Sequence, residues 1–131
     1  MGAGTLFLFI VCITKCLSPV AYADQGYGKY YTPPYVPSAC YGYQDEGDMI
    51  GAASDTLWNG GAACGSMYSI TCIGATNQGV LQPCTGQSVT IKIVDYCPPP
   101  GCQATIDLSQ ESFAIIADLN AGKIVIEYNQ V

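Results

Sequence analysis

"CTGQSVTIKIVDYCPPPGCQATIDLSQESFAIIA", Cys84 to Ala117, runs from a strand pattern through a proline-rich cysteine turn into a helix signal. Ser88 to Val94 alternates β-branched and polar residues at the period of a half-buried strand. Cys97 and Cys102 enclose Pro98-Pro99-Pro100-Gly101, a sequence suited to closing a small loop. Behind it, Asp107 or Ser109 can cap a helix, and Glu111 sits in the first turn, where the dipole favours an anion. Phe113, Ile116, Ala117 and Asn120 then lead to Gly122 as the stop. Asp95 and Asp107 flank the cysteine turn. The stretch therefore poses a choice between a pair of working carboxylates and a stapled acidic turn.

Outward from this stretch, strand-like segments recur between turn signals. Ser66–Ile73 and Lys123–Asn129 are rich in β-branched and aromatic residues, and Gly26–Thr32, Ala39–Tyr43 and Met49–Ala53 are weaker candidates. Asn59-Gly60-Gly61 and Thr85-Gly86 punctuate them, and Ser54–Trp58 can form a short helical turn. No internal repeat or long linker divides the chain. Many short strands with one or two small helices predict a mainly β, closed barrel.

The chain start bears on the compartment. Leu6 to Ile13, "LFLFIVCI", is a short apolar run, and Ala21-Tyr22-Ala23 follows at the spacing that a signal peptidase reads. Residues 1–23 are therefore read as a secretory signal, and 24–131 as the mature domain. The run is too short to span a bilayer, and no other stretch is long and apolar enough. Removal of the leader takes Cys12 and Cys16 with it and leaves six cysteines: Cys40, Cys64, Cys72, Cys84, Cys97 and Cys102. In a small secreted domain an even set predicts disulfide staples of roughly 2 to 4 kcal/mol each. Six cysteines allow fifteen connectivities. A zinc site fits poorly, because there is no histidine and no Cys-x-x-Cys pair.

Lack of histidine also excludes Ser-His-Asp and Cys-His hydrolase constellations, which need an imidazole to shuttle a proton. The net charge is −6, with 10 acidic residues and 4 basic ones. Nucleic acid and anionic membrane surfaces are repelled by such a chain. The residues point to no cofactor and no metal, and nothing in them demands more than a monomer.

Three stretches taken in order carry a family resemblance: "YYTPPYVPSACYGYQ" (30–44), "LWNGGAACGSMYSITCIGAT" (57–76) and the opening stretch. Together they resemble the plant natriuretic peptides and blight-associated proteins, small secreted proteins with an expansin-like, family-45-endoglucanase-like domain. The resemblance implies a disulfide-stapled, six-stranded double-psi β-barrel, an extracellular, apoplastic location and a systemic role in water and solute homeostasis. It also implies the pairs Cys40–Cys64, Cys72–Cys84 and Cys97–Cys102.

By the same resemblance, Asp107 matches the general acid of the hydrolytic relatives and Asp95 a second aspartate of the expansins. Inverting glycosidases need two carboxyl groups, one to protonate the leaving group and one to activate water. The base of the hydrolytic relatives comes from the N-terminal strand, and "GYGKYYTPP" (26–34) contains no acid. Lys29 stands where expansins keep a threonine. Opposite Asp107 it is expected to hold that carboxylate ionised, against service as an acid. Asp95 and Asp107 are therefore read as a vestigial cleft with no catalytic residue. The alternative is structural: Asp107 capping a helix and Asp95 ending a strand beside the Cys97 loop.

Tyrosines crowd the first part of the mature chain, and Tyr31 and Tyr96, with Lys29, are the expected cleft-lining residues. Flat rings suit stacking on sugar faces or a protein partner. Three functions follow as alternatives. One is a non-enzymatic secreted regulator acting through a cell-surface receptor. The second is a cell-wall polysaccharide binder or loosener, and the third a single-acid glycan-cleaving enzyme using Asp107.

Overall fold

The computed structural model describes residues 23–76 and 79–131. The signal reading, apart from Ala23, lies outside the described residues. Alternation of side-chain character builds six strands: β1 (Asp24–Tyr31), β2 (Ile50–Ser54), β3 (Met67–Ala75), β4 (Ser88–Cys97), β5 (Ile106–Ser109) and β6 (Ile124–Gln130). Two short helices, α1 (Asp55–Trp58) and α2 (Gln110–Ile116), follow β2 and β5 directly.

The strands close into a barrel in the order β1-β5-β2-β4-β3-β6. β1 runs parallel to β5, and β2 parallel to β4, while the remaining pairs are antiparallel. This is the double-psi barrel that the resemblance implies. Its interior is filled by Ile70, Ile91, Ile93, Ile106, Leu108, Ile124 and Ile126, all fully buried, with Phe113 and Ile116 of α2 plugging one end. Each such side chain contributes roughly 1.5 to 3 kcal/mol of transfer free energy. Gly51 faces inward, and a Cβ there would lie 3.1 Å from Ile91 and 3.2 Å from the Asp107 carbonyl. Its neighbour Ala52 consequently points away from the barrel interior, between β4 and β5, yet is covered, with 4% of its surface exposed.

Three disulfides join Cys40 to Cys64, Cys72 to Cys84 and Cys97 to Cys102. Cys40–Cys64 pins the long 32–49 connection, whose Cys40 amide also donates to the Val94 carbonyl.

Several sequence expectations are corrected. Ala39–Tyr43 is no strand: Ser38 and Gly42 exchange backbone hydrogen bonds across a turn, and Gly42 has φ 59°. The helix expected to reach Gly122 ends at Ile116, and Asp118 caps a separate 3-10 turn, Leu119–Ala121. Ser109, not Asp107, caps α2, accepting from the Ser112 amide. Asp107 belongs to strand β5, which the cap grammar concealed. Asp95 does not end a strand beside the Cys97 loop. It stands within β4, and its Oδ1 accepts from the amides of Ala39 and Tyr96, bracing the 32–49 connection instead.

Candidate functional site

The barrel's strand registers assemble one row on its outer face. Lys29 of β1 pairs with Asp107 of β5, and Asp107 with Ala52 of β2. Ala52 in turn pairs with Asp95 of β4, past a register shift between Gly51 and Ala52. Asp95 and Asp107 thus flank Ala52, with their Cα atoms two strand spacings, about 10 Å, apart. Ala52 carries only a methyl group and is 4% exposed, so the row forms a trough across the strands whose floor is lowest between the two carboxylates.

Tyr31 and the 32–49 connection wall one side. The Tyr31 hydroxyl is buried without a hydrogen-bond partner. Burial, chiefly, and then the charges of Asp95 and Asp107 push its ionisation far up, so the phenol stays neutral. Tyr35 meets the Tyr31 ring edge-on at 5.2 Å between centroids. Its hydroxyl donates to Glu111 and accepts from the Gln110 amide, fastening the wall to the start of α2. Burial, then the bond to Glu111, pushes Tyr35 up to about 12. Nothing local in the sequence marks this role of Tyr35, because its partner Glu111 lies 76 residues away.

Asp107 decides the chemistry. Its Oδ1 is buried and accepts no hydrogen bond. Burial raises its pKa to about 6 from the ordinary 3.8, with Asp95 adding to the rise and Lys29 opposing it. Lys29 pulls toward the ionised form, as the sequence suggests, but desolvation outweighs it, so Asp107 titrates well above its ordinary value while still ionising below neutral pH. A carboxyl with pKa near 6 can carry a proton to a leaving group in mildly acid surroundings.

Tyr96 is placed differently from Tyr31. Its ring stacks on Trp58 at 4.7 Å and 19°, and its hydroxyl donates to Asp55 at 2.8 Å. Lys29, Asp107, Asp95 and Tyr31 thus come together, and Tyr96 joins a neighbouring cluster with Trp58 and Asp55. Among the described residues no group of three or more carboxylates and cysteines forms a metal centre. No described helix is long and apolar enough to cross a membrane.

Comparison with known proteins gives the family. Residues 50–128 match the family described as "Lytic transglycolase". The chain is 58% identical over 131 residues to an EG45-like domain containing protein of Citrus jambhiri, covering 99% of each. It is 48% identical over 121 residues to putative EG45-like domain containing protein 1 of Arabidopsis thaliana, covering 92% of this chain and 94% of that protein. Among solved structures, a variant Clavibacter michiganensis expansin in complex with cellohexaose superposes with TM-score 0.63 at 28% identity. That match covers 83% of this chain and 50% of the bacterial expansin, so the chain spans about half of the latter's length. The barrel, its disulfides and this near full-length identity make the chain a member of the EG45-like, expansin-like family.

Proposed function

We propose that the protein is secreted and binds a neutral cell-wall polysaccharide in the Lys29–Asp107–Ala52–Asp95 trough without hydrolysing it. The observation that carries this reading is the pair of buried polar atoms left without partners at the β1–β5 end of the row, the Tyr31 hydroxyl and Asp107 Oδ1. Such atoms cost about 1 to 3 kcal/mol each when unpaired, and sugar hydroxyls entering the trough can pair with them. The cellohexaose bound by the bacterial expansin has this chemistry. Hydrolysis needs a second carboxylate free to activate water. Asp95 Oδ1 already accepts two backbone amides, and β1 offers Lys29 in place of an acid. The role in water and solute homeostasis that the family resemblance implies is, on this reading, exerted from the extracellular wall.

The test is a pull-down on insoluble glucan, paired with an assay for released reducing ends. Retention lost in Tyr31→Ala, with no reducing ends at any pH, is the expected outcome. Reducing ends released by the wild type would overturn it.

A second reading has its own support. A single protonated carboxyl suffices for a transglycosylase route that needs no water-activating base, and Asp107 is held near pKa 6. Glycan cleavage that disappears in Asp107→Asn would establish this reading over binding alone.

A further inference from the structure

Beside the trough lies a pocket that the sequence reading did not anticipate. It is lined by Ser54, Asp55 and Thr56 on one side and by Pro99 and the Cys97–Cys102 disulfide on the other. The strand registers fix its position. Ala52 pairs with Asp95, and Ser54, two residues further along β2, pairs with Cys97, two further along β4. Thr105, two residues before Asp107, also lines the pocket, and its carbonyl accepts from the Ser54 amide. The pocket is therefore displaced along the strands, about 7 Å from the carboxylate row. The row itself runs across the strands. A glycan lying along the row passes beside the pocket and does not end in it, while Tyr31 and Tyr35 wall the opposite flank.

The lining is built to receive hydroxyl groups. Ser54 is buried, with 7% of its surface exposed, and its Oγ has no hydrogen-bond partner. Asp55 accepts the Tyr96 hydroxyl on Oδ1 and retains a second carboxylate oxygen. The Tyr96–Trp58 stack stands next to it and offers a flat aromatic edge. No lining residue is cationic, so anionic sugars are disfavoured. A volume of about 190 Å³ is well below what a drug-sized ligand needs. Beyond it, the Pro98–Cys102 turn closes the way, held by the Cys102 amide on the Pro98 carbonyl.

We propose that this pocket receives a single neutral sugar unit carried as a side branch on the polysaccharide in the trough, so that the protein prefers branched to linear glucans. The inference rests on the trough reading for the backbone, but the pocket's own residues carry the branch. Ser54 Oγ and Asp55 form the two hydrogen bonds that distinguish a branch hydroxyl from bulk water. Pro99 and the disulfide cover the apolar face of the ring.

Calorimetry with two probes tests it: linear cellohexaose, and a cello-oligosaccharide backbone carrying single xylosyl branches. The branched probe is expected to bind at least tenfold more tightly. Thr56→Trp, at an exposed position on the pocket rim, should erase that preference and leave the affinity for cellohexaose unchanged. Ser54→Ala removes a hydroxyl that is unpaired in the free protein, so its thermal midpoint should not fall, yet it should weaken branched binding threefold or more. Equal affinity for the two probes, or a preference that survives Thr56→Trp, overturns the branch pocket while the trough reading stands. Branched binding lost in Thr56→Trp, with no measurable cellohexaose binding, would sink the trough reading and keep the pocket. No binding of either probe rejects both.

Discussion

Two lysine–carboxylate encounters on the same barrel end in opposite ways. On the 32–49 connection Glu46 forms an ion pair with Lys92 of β4, and Gln44 donates a second hydrogen bond to it. These bonds hold the Glu46 carboxyl below its usual range and raise Lys92, whose ammonium also sits 4.7 Å from the Tyr41 ring centre. In the trough, Lys29 and Asp107 are register partners on parallel strands, yet Asp107 Oδ1 accepts no bond and its pKa rises to about 6. Both lysines attract their carboxylates. What differs is where the acid stands: Glu46 is on the 32–49 connection, within reach of two partners, whereas Asp107 is fixed to β5 beside Tyr31. The acid on the connection becomes a structural tie. A strand-held acid is left with an unsatisfied charge, which is the condition for proton chemistry or ligand capture.

The largest way to break this contrast is to cut the loop free. The Cys40–Cys64 disulfide spans 24 residues, holds the connection that bears Glu46 and anchors the Tyr35 wall over the trough. Cys97–Cys102 spans 5 and closes only its own turn. Loop-closure entropy gives about 3.5 kcal/mol for the first and about 2 for the second. Replacing Cys40 and Cys64 together by Ser should lower the denaturant midpoint more than replacing Cys97 and Cys102, and should also abolish glucan retention. Equal losses with unchanged slope would show that chain entropy does not set the order.

A smaller effect separates the two carboxyls by pH. Asp107 has a folded pKa raised from 3.8 to about 6, so the folded state binds the proton more tightly than the unfolded chain. Its contribution is fully present below about pH 3.8 and is lost as pH rises through 6. The ceiling on that loss is about 3 kcal/mol, and partial solvent exposure reduces it to about 1 to 2. Asp107→Asn should remove this slope between pH 4 and 6.5, leaving the variant more stable than the wild type at neutral pH. An unchanged slope would show that Asp107 is not the desolvated group.

Smaller still is the lysine's own share. Lys29→Gln removes the cation that opposes the rise at Asp107, so its carboxyl pKa should climb further above 6, read by carbon-13 titration of the side chain. A fall on this substitution would mean that burial does not dominate.

Much of this fold is legible in local pattern. Ser88–Val94 and Ser66–Ile73 alternate over seven and eight residues, long enough for period two to stand out, and both lie within strands β4 and β3 or overlap them closely. Ile106–Ser109 is only four residues and ends in Ser109, a true helix cap, so Asp107 reads as cap grammar although it pairs in parallel with β1. That pairing spans 78 residues and leaves no local trace. Ala39–Tyr43 failed for the converse reason: its tyrosines favour strands, but Gly42 takes a left-handed turn. At the site, resemblance identifies Asp95 and Asp107, whereas the sign of the Asp107 shift depends on its burial, which comes from tertiary packing. The Ser54 pocket has no motif at all. It exists because β2, β4 and the proline turn meet in space.

The smallest predicted effect concerns the satisfied pair and sharpens the contrast from its other side. Glu46 is held low by Lys92 and Gln44, so its stabilisation is present above its ordinary value of 4.5 and is lost as pH falls through the lower folded value. This slope is opposite in sign to that of Asp107. Glu46→Gln keeps the shape and the hydrogen-bonding reach of the side chain while removing its charge. Lys92 of this pair is a third exposed, although Glu46 is only 11% exposed, and ion pairs open to solvent on one side contribute little and are screened by salt. The variant should therefore show a small loss at neutral pH that shrinks further in high salt, a flatter acid limb below pH 4.5, and glucan binding equal to the wild type. If Glu46→Gln instead weakened glucan binding as much as Tyr31→Ala, the loop would be acting through the trough, and the division between a structural tie and a chemical site would not hold.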